Sequence, residues 1–120
     1  GEIVLKSEFY SYESKYLDPE ASSTEAPAKI SKKVAKNVQE LAIKVFKTLS
    51  SEGLGRVDFF LRPDDTLVVN EINTLPGFTS ISMYPKLWQA SGVSYPDLID
   101  RLIQLAFARF RKEQKLKTSV

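Results

Sequence analysis

One stretch, Arg56 to Met83, RVDFFLRPDDTLVVNEINTLPGFTSISM, constrains the fold of this chain more than any other. It reads as a strand, RVDFFL, a turn at Arg62-Pro63-Asp64-Asp65, and a returning strand, TLVVNEIN. It then leaves regular structure through Thr74-Leu75-Pro76-Gly77 into a loop rich in hydroxyls. Proline presets φ at the turn and aspartate bonds its own backbone, so Pro-Asp-Asp between two β-branched, apolar runs predicts a β-hairpin.

Register then decides what the hairpin can do. With an even number of residues in the turn, Asp58 faces Glu71 or sits one pair away on the same face. Because side chains alternate, one face is expected to carry Val57, Phe59, Leu61, Val68 and Ile72. The other carries Arg56, Asp58, Phe60, Leu67, Val69, Glu71 and Asn73. The first face is a core face. The second gathers two carboxylates, an amide and a guanidinium at its open end. Oxygen donors in such a group suit a hard divalent cation such as magnesium, and Arg56 beside them suits a phosphate or a developing oxyanion. Strand ends also carry charged residues simply because they are solvated, and register alone leaves both readings open.

The composition removes several kinds of chemistry. The 120 residues hold no Cys and no His, which excludes disulfides, thiolate and imidazole catalysis, and zinc sites of the usual kind. Any reaction must use carboxylates, Lys, Arg, hydroxyls and backbone groups. A net charge of +2 gives no argument for nucleic acid, and the lysines are expected on solvated helix faces. No run approaches membrane-spanning length, and a cytoplasmic location is the expectation. The length suits one domain or part of one. The chain opens on Gly1-Glu2-Ile3-Val4-Leu5 without an initiator Met, as though a strand were entered midway, and it is expected to be a piece of a longer protein.

Along the chain, residues 2–9 read as a strand. Residues 10–29 have no helical period and read as a long loop, in which the aromatic, charged run Tyr10 to Tyr16 is the functional part and Glu20 to Pro27 plain linker. Ser31 is a good N-cap for a helix over 32–49, with Val34, Val38, Leu41, Ala42, Val45 and Leu49 as its buried stripe. Gly53 supplies a helix stop. Gly77 lets a backbone N–H approach a ligand. Thr79, Ser80 and Ser82 can begin a short helix ending near Ala90, and hydroxyls at such a start either bind an anion or merely cap. Trp88 reads as packing. Ser94 with Asp97 resembles a capping box for a last helix over 95–111, with Leu98, Leu102, Leu105, Ala106 and Phe110 as its stripe and a frayed, charged tail. The order is βαββ(α)α. The fold class is α+β: an antiparallel hairpin plus an extra strand, packed on two long helices. One strand is expected to lie unpaired at an edge.

The strings RVDFF and NEINTLPGFTSISMYPKLW, with SYESKYLDP upstream, closely resemble the D-alanine–D-alanine ligases of the ATP-grasp superfamily. The resemblance runs from about Glu2 to about Phe110 and covers the C-terminal third of a typical member. It implies that residues 1–120 are the C-terminal part of an ATP-grasp catalytic domain, with 10–29 as active-site loop and linker and 56–83 as the metal- and substrate-binding hairpin and loop. The N-terminal domain and the central lid that grips the nucleotide would be absent. The implied reaction joins two D-alanines at the expense of ATP through an acyl phosphate, for peptidoglycan precursors of the cell wall. Its cofactors are ATP and two Mg2+ or Mn2+ ions, and the parent is expected to be a homodimer.

Residue by residue, the resemblance makes Asp58, Glu71 and Asn73 metal ligands, with Glu71 bridging two ions. It makes Arg56 and the Gly77 N–H oxyanion stabilisers, and Ser82 with the Met83 backbone the grip on the second D-alanine's carboxylate. Lys15 would reach phosphate or substrate. Tyr16 would close the site and select the amine. A Phe tends to stand at the Tyr16 position in related depsipeptide ligases, so Tyr favours D-alanine over D-lactate. The alternatives are a D-alanine–D-lactate or D-alanine–D-serine ligase, and an isolated folding or association module without turnover. The 120 residues alone are expected to be inactive, because no lysine pair or Gly-rich loop for ATP lies within them.

Overall fold

The structure, a computed structural model, describes residues 1–5, 22–79 and 81–116. Its elements are β1 (Glu2–Leu5), β2 (Ser22–Glu25), α1 (Lys32–Thr48), β3 (Arg56–Leu61), β4 (Leu67–Asn73), α2 (Met83–Ala90) and α3 (Tyr95–Gln114). The class is α+β as expected, with the hairpin, two long helices and a short one, but with two further strands where one was expected. Among the described residues the strands form two separate antiparallel pairs, β1 with β2 and β3 with β4.

The first pair corrects two expectations. β1 is not an unpaired edge: Glu2 faces Glu25 and the ladder runs to Leu5 opposite Ser22. Its partner, SSTE, lies inside the run read as plain linker. That segment has no apolar alternation, so nothing local marks it as a strand; a partner some 20 residues earlier supplies the pairing. The open end of this ladder is tied to the segment leading into α1. The Lys29 N–H donates to Glu2 Oε1 at 2.7 Å, and Lys29 Nζ pairs with Glu25 at 2.7 Å.

α1 starts where the cap signal placed it. Ser31 Oγ accepts from the Val34 N–H at 3.2 Å, satisfying one of the donors that a helix start leaves without an intrahelical partner. Val34 is buried, and Val38, Leu41, Ala42 and Val45 are half-buried, but Leu49 is exposed. Leu49 is the C-cap residue, after which Ser50 (φ 51°) and Gly53 (φ 78°) turn the chain away. The hairpin leans on α1, and the approach is close at Gly55. A Cβ there would meet the Phe46 ring at 2.8 Å.

α3 packs against α2. Ser94 caps it: Oγ accepts from the Asp97 N–H at 3.3 Å and donates to the Asp97 carboxylate at 2.7 Å. Leu98 is buried and Leu102 half-buried, but Leu105, Ala106 and Phe110 are exposed. The lower half of the expected stripe therefore has no cover among the described residues. The helix also continues to Gln114, beyond the expected 111. Near its end Arg109 and Lys112 reach Glu52, in the loop before β3, at 3.4 and 3.2 Å. These pairs are exposed, and solvent screens them. The aromatic rings of Phe78, Tyr84, Tyr95 and Trp88 join the loop after the hairpin to α2 and α3, with centroids 5.3–6.4 Å apart. Tyr84 is buried there, whereas Trp88 sits at the edge, 39% exposed.

Candidate functional site

The hairpin turn has an odd loop where an even one was expected. The Asp65 N–H donates to the Arg62 carbonyl at 3.0 Å, and the Arg62 N–H to the Thr66 carbonyl at 2.9 Å. Asp65 sits at φ 63° and Asp64 Oδ1 accepts from the Thr66 N–H at 3.0 Å. This is a type I turn with Pro63 at its second position, followed by a left-handed residue. Next to the turn Leu61 faces Leu67, Phe60 faces Val68 and Phe59 faces Val69. A register shift then follows between Phe59 and Asp58, with Asn70 as the extra residue on β4. Beyond this bulge Asp58 faces Glu71, Val57 faces Ile72 and Arg56 faces Asn73.

The two departures cancel at the open end and not near the turn. Facing residues share a side of the sheet. The expected grouping of Arg56, Asp58, Glu71 and Asn73 on one side therefore holds. Val68 joins that side with Phe60, and Leu67 and Val69 join the side of Val57, Phe59, Leu61 and Ile72. The expected places of those three β4 residues are thus exchanged, because the bulge inverts the alternation between Val69 and Glu71.

Within the polar group Arg56 holds Asp58 by a two-point fork: Nε to Oδ1 and Nη2 to Oδ2, both at 2.8 Å. The residues are two apart on one strand, which puts them side by side on its face. Each side chain is about a quarter exposed. The hydrogen bonds to Asp58 push the guanidinium's pKa up, against the opposing effect of partial burial, and the charges of Asp58 and Glu71 add to the rise. Asn73 Oδ1 accepts from the Leu75 N–H at 3.0 Å, which turns the chain out of β4 towards Pro76 and Gly77.

Pro76 is buried and Gly77 exposed. A Cβ on Gly77 would stand 2.9 Å from Ser82 Oγ. That hydroxyl does not cap α2, although Ser82 is its N-cap residue. It turns back to the loop, accepting from the Thr79 N–H at 3.0 Å and lying 2.8 Å from Thr79 Oγ1. Met83 opens α2 directly behind it. The Phe78 carbonyl accepts from the Tyr95 hydroxyl at 2.9 Å, so α3 anchors the loop's midpoint. Nothing in the sequence marks Tyr95 as a site residue. Tyr95 lies 17 residues beyond Phe78, and its chain position carries no sign of the contact.

Of the expected site residues, Arg56, Asp58, Glu71 and Asn73 are brought to one end of one sheet face, and the chain continues from there through Gly77 to Ser82 and Met83. Lys15 and Tyr16, like Tyr10, Tyr12 and Ser80, lie outside the described residues. Among the described residues no group of three or more His, Cys, Asp or Glu gathers. The face offers two carboxylates and one amide oxygen. That donor set fits magnesium, which is held by one or two carboxylates with its remaining positions left to water and ligand phosphates. Among the described residues no helix is long and apolar enough to cross a membrane.

Comparison with known proteins places this geometry in context. The family described as "D-ala D-ala ligase C-terminus" matches residues 1–104. A D-alanine–D-alanine ligase of Baumannia cicadellinicola is 57% identical over 115 residues, 96% of this chain and 31% of that protein. D-alanine–D-alanine ligase A of Salmonella typhimurium is 53% identical over 120 residues, 100% of this chain and 33% of that protein. The chain thus spans about a third of the length of the curated relatives it matches. Among solved structures, the VanG D-Ala:D-Ser ligase of Enterococcus faecalis aligns with TM-score 0.74 at 41% identity, over 86% of this chain and 30% of that one. A D-alanine–D-alanine ligase of Bacillus anthracis complexed with ATP aligns with TM-score 0.69 at 31% identity, over 78% and 31%.

Proposed function

The chain belongs to the D-ala D-ala ligase C-terminus family, and from that premise we propose that it forms one wall of an enzyme joining two D-alanines with ATP. It is the C-terminal part of an ATP-grasp catalytic domain, with residues 56–83 as its metal- and substrate-binding segment and 10–29 as an active-site loop and linker. The N-terminal and central domains of the parent supply the nucleotide grip. The parent is a cytoplasmic homodimer that makes D-alanyl-D-alanine for peptidoglycan. The observation that carries the reading is the register beyond the bulge, which pairs Asp58 with Glu71 and Arg56 with Asn73. ATP as co-substrate is supported by the relative from Bacillus anthracis, whose structure contains it.

In the proposed reaction a carboxylate oxygen of the first D-alanine takes the γ-phosphoryl group of ATP, releasing ADP. The amine of the second D-alanine then attacks the acyl carbon, loses a proton, and phosphate departs. Every charged species on this path is an anion. Asp58, Glu71 and Asn73 would hold two Mg2+ or Mn2+ ions, which would neutralise phosphate charge when bound. Arg56 and the Gly77 N–H face the tetrahedral oxyanion. Donors aimed at a developing oxyanion stabilise the transition state more than the ground state. Ser82 and the Met83 backbone hold the second D-alanine's carboxylate. Lys15 reaches phosphate or substrate, and Tyr16 closes the site over the incoming amine.

A graft tests this. These 120 residues replace the matching third of the Salmonella typhimurium ligase, and ADP release is followed as D-alanine is added. The expected result is D-alanine-dependent ADP release with the dipeptide as product. A folded graft that hydrolyses ATP no faster with D-alanine than without it would overturn the proposal. Stimulation by D-lactate or D-serine as second substrate would move it to the corresponding neighbouring ligase.

A further inference from the structure

The two bonds of the Arg56–Asp58 fork occupy both donors that face the carboxylate and both of its oxygens. A carboxylate in a fork presents one lone pair of each oxygen to the guanidinium, so only the outward-facing pair of each is left for a cation. A guanidinium in a fork has its best-placed N–H groups turned away from any other anion. The roles assigned above to Asp58 and Arg56 therefore compete while the fork is closed. Glu71, directly across the ladder from Asp58, is exposed and makes no ion pair among the described residues. A cation thus has an unforked carboxylate to meet first. Once seated beside Asp58 it repels the guanidinium, and the fork is a quarter exposed, so Arg56 can swing out without being buried elsewhere.

We propose that the Arg56–Asp58 fork is a resting lock in which a divalent cation and Arg56 compete for Asp58, so that cation binding releases Arg56 towards the anionic ligand. This rests on Asp58 as a metal ligand. Cation and anion then bind with positive coupling, and by linkage each tightens the other by the same factor. The lock also keeps Arg56 from gripping an anion before the cation is in place.

Mn2+ binding to the 120-residue chain, read by electron paramagnetic resonance without nucleotide, tests the proposal. All the competing groups lie within this chain. Arg56→Gln removes the competitor, and Mn2+ should bind on the order of tenfold more tightly than to the native chain, within the usual range of coupling factors. Arg56→Lys keeps the charge but cannot fork, and should fall between the two. In the native chain the Arg56 Nε–H resonance should lose its fork position as Mg2+ is added. Equal or weaker Mn2+ binding by Arg56→Gln, with the native thermal melt retained, would overturn the lock while leaving the metal site standing. Asp58→Asn reports separately: unchanged Mn2+ affinity in that variant would remove Asp58 from the metal site, and the lock with it.

Discussion

Gly77 and Ser82 are pressed together: a Cβ on Gly77 would stand 2.9 Å from Ser82 Oγ, closer than side-chain carbons approach an oxygen. Ser82 cannot simply yield, because its hydroxyl is held by the Thr79 N–H at 3.0 Å and by Thr79 Oγ1 at 2.8 Å. Gly77→Ala should therefore displace the serine from the place proposed for the substrate carboxylate. In the grafted enzyme kcat/KM for D-alanine should fall about 10- to 100-fold, the scale of a small misplacement of reacting groups. The melting temperature should barely move, since the loop is exposed.

Arg56→Ala removes a proposed oxyanion donor. The loss should be about 3 kcal/mol of transition-state stabilisation, on the order of 100-fold in kcat. Steady-state kinetics of the graft check it, and a variant as fast as the parent would leave Arg56 without a catalytic role.

Tyr95→Phe keeps the ring contact with Phe78, whose centroid lies 5.3 Å away, and deletes only the hydroxyl bond to the Phe78 carbonyl. Unfolding free energy should drop by about 0.5–1.5 kcal/mol, the net worth of one such bond. Amide exchange in residues 77–79 and at Ser82 should quicken in the same variant, because α3 no longer anchors the loop.

Burial raises the pKa of Tyr84 above its ordinary value of 10.0. The folded chain then keeps the phenol proton at a pH where the unfolded chain has lost it. Fewer protons bound in the unfolded state mean that stability falls as pH rises. This contribution is complete below pH 10 and is lost as pH climbs through the raised folded value. Thermal melts above pH 10 should fall more steeply for the native chain than for Tyr84→Phe.

Much of this architecture was legible because its signals are local. Pro63-Asp64-Asp65 marks the hairpin, and Ser31 and Ser94 mark two helix starts through their own hydroxyls. The spacing of Val34, Val38, Leu41 and Val45 marks the inner face of α1. What was missed depends on distant partners. Ser22–Glu25 becomes a strand only beside Glu2–Leu5, and Tyr95 becomes part of the loop only by reaching Phe78. The bulge at Asn70 is a third case. A single extra residue leaves no trace in an apolar pattern such as Leu67-Val68-Val69, yet it decides which of those side chains shares a face with Asp58. The exposed Leu105 and Phe110 differ again: their apolar stripe is plain in the sequence, but nothing among the described residues covers it. The polar cluster was visible as a possible cation site from register alone; only the resemblance to the ligases gave its members separate roles.

The role proposed for this chain is to help activate a D-alanine carboxylate by phosphorylation. It is tested most directly by giving the grafted enzyme D-alanine labelled with 18O in its carboxylate and analysing the inorganic phosphate released. Activation through an acyl phosphate breaks the bond between the acyl carbon and one carboxylate oxygen, so that oxygen must leave with phosphate. Labelled phosphate is expected in step with the dipeptide formed. Dipeptide accompanied by unlabelled phosphate would contradict it.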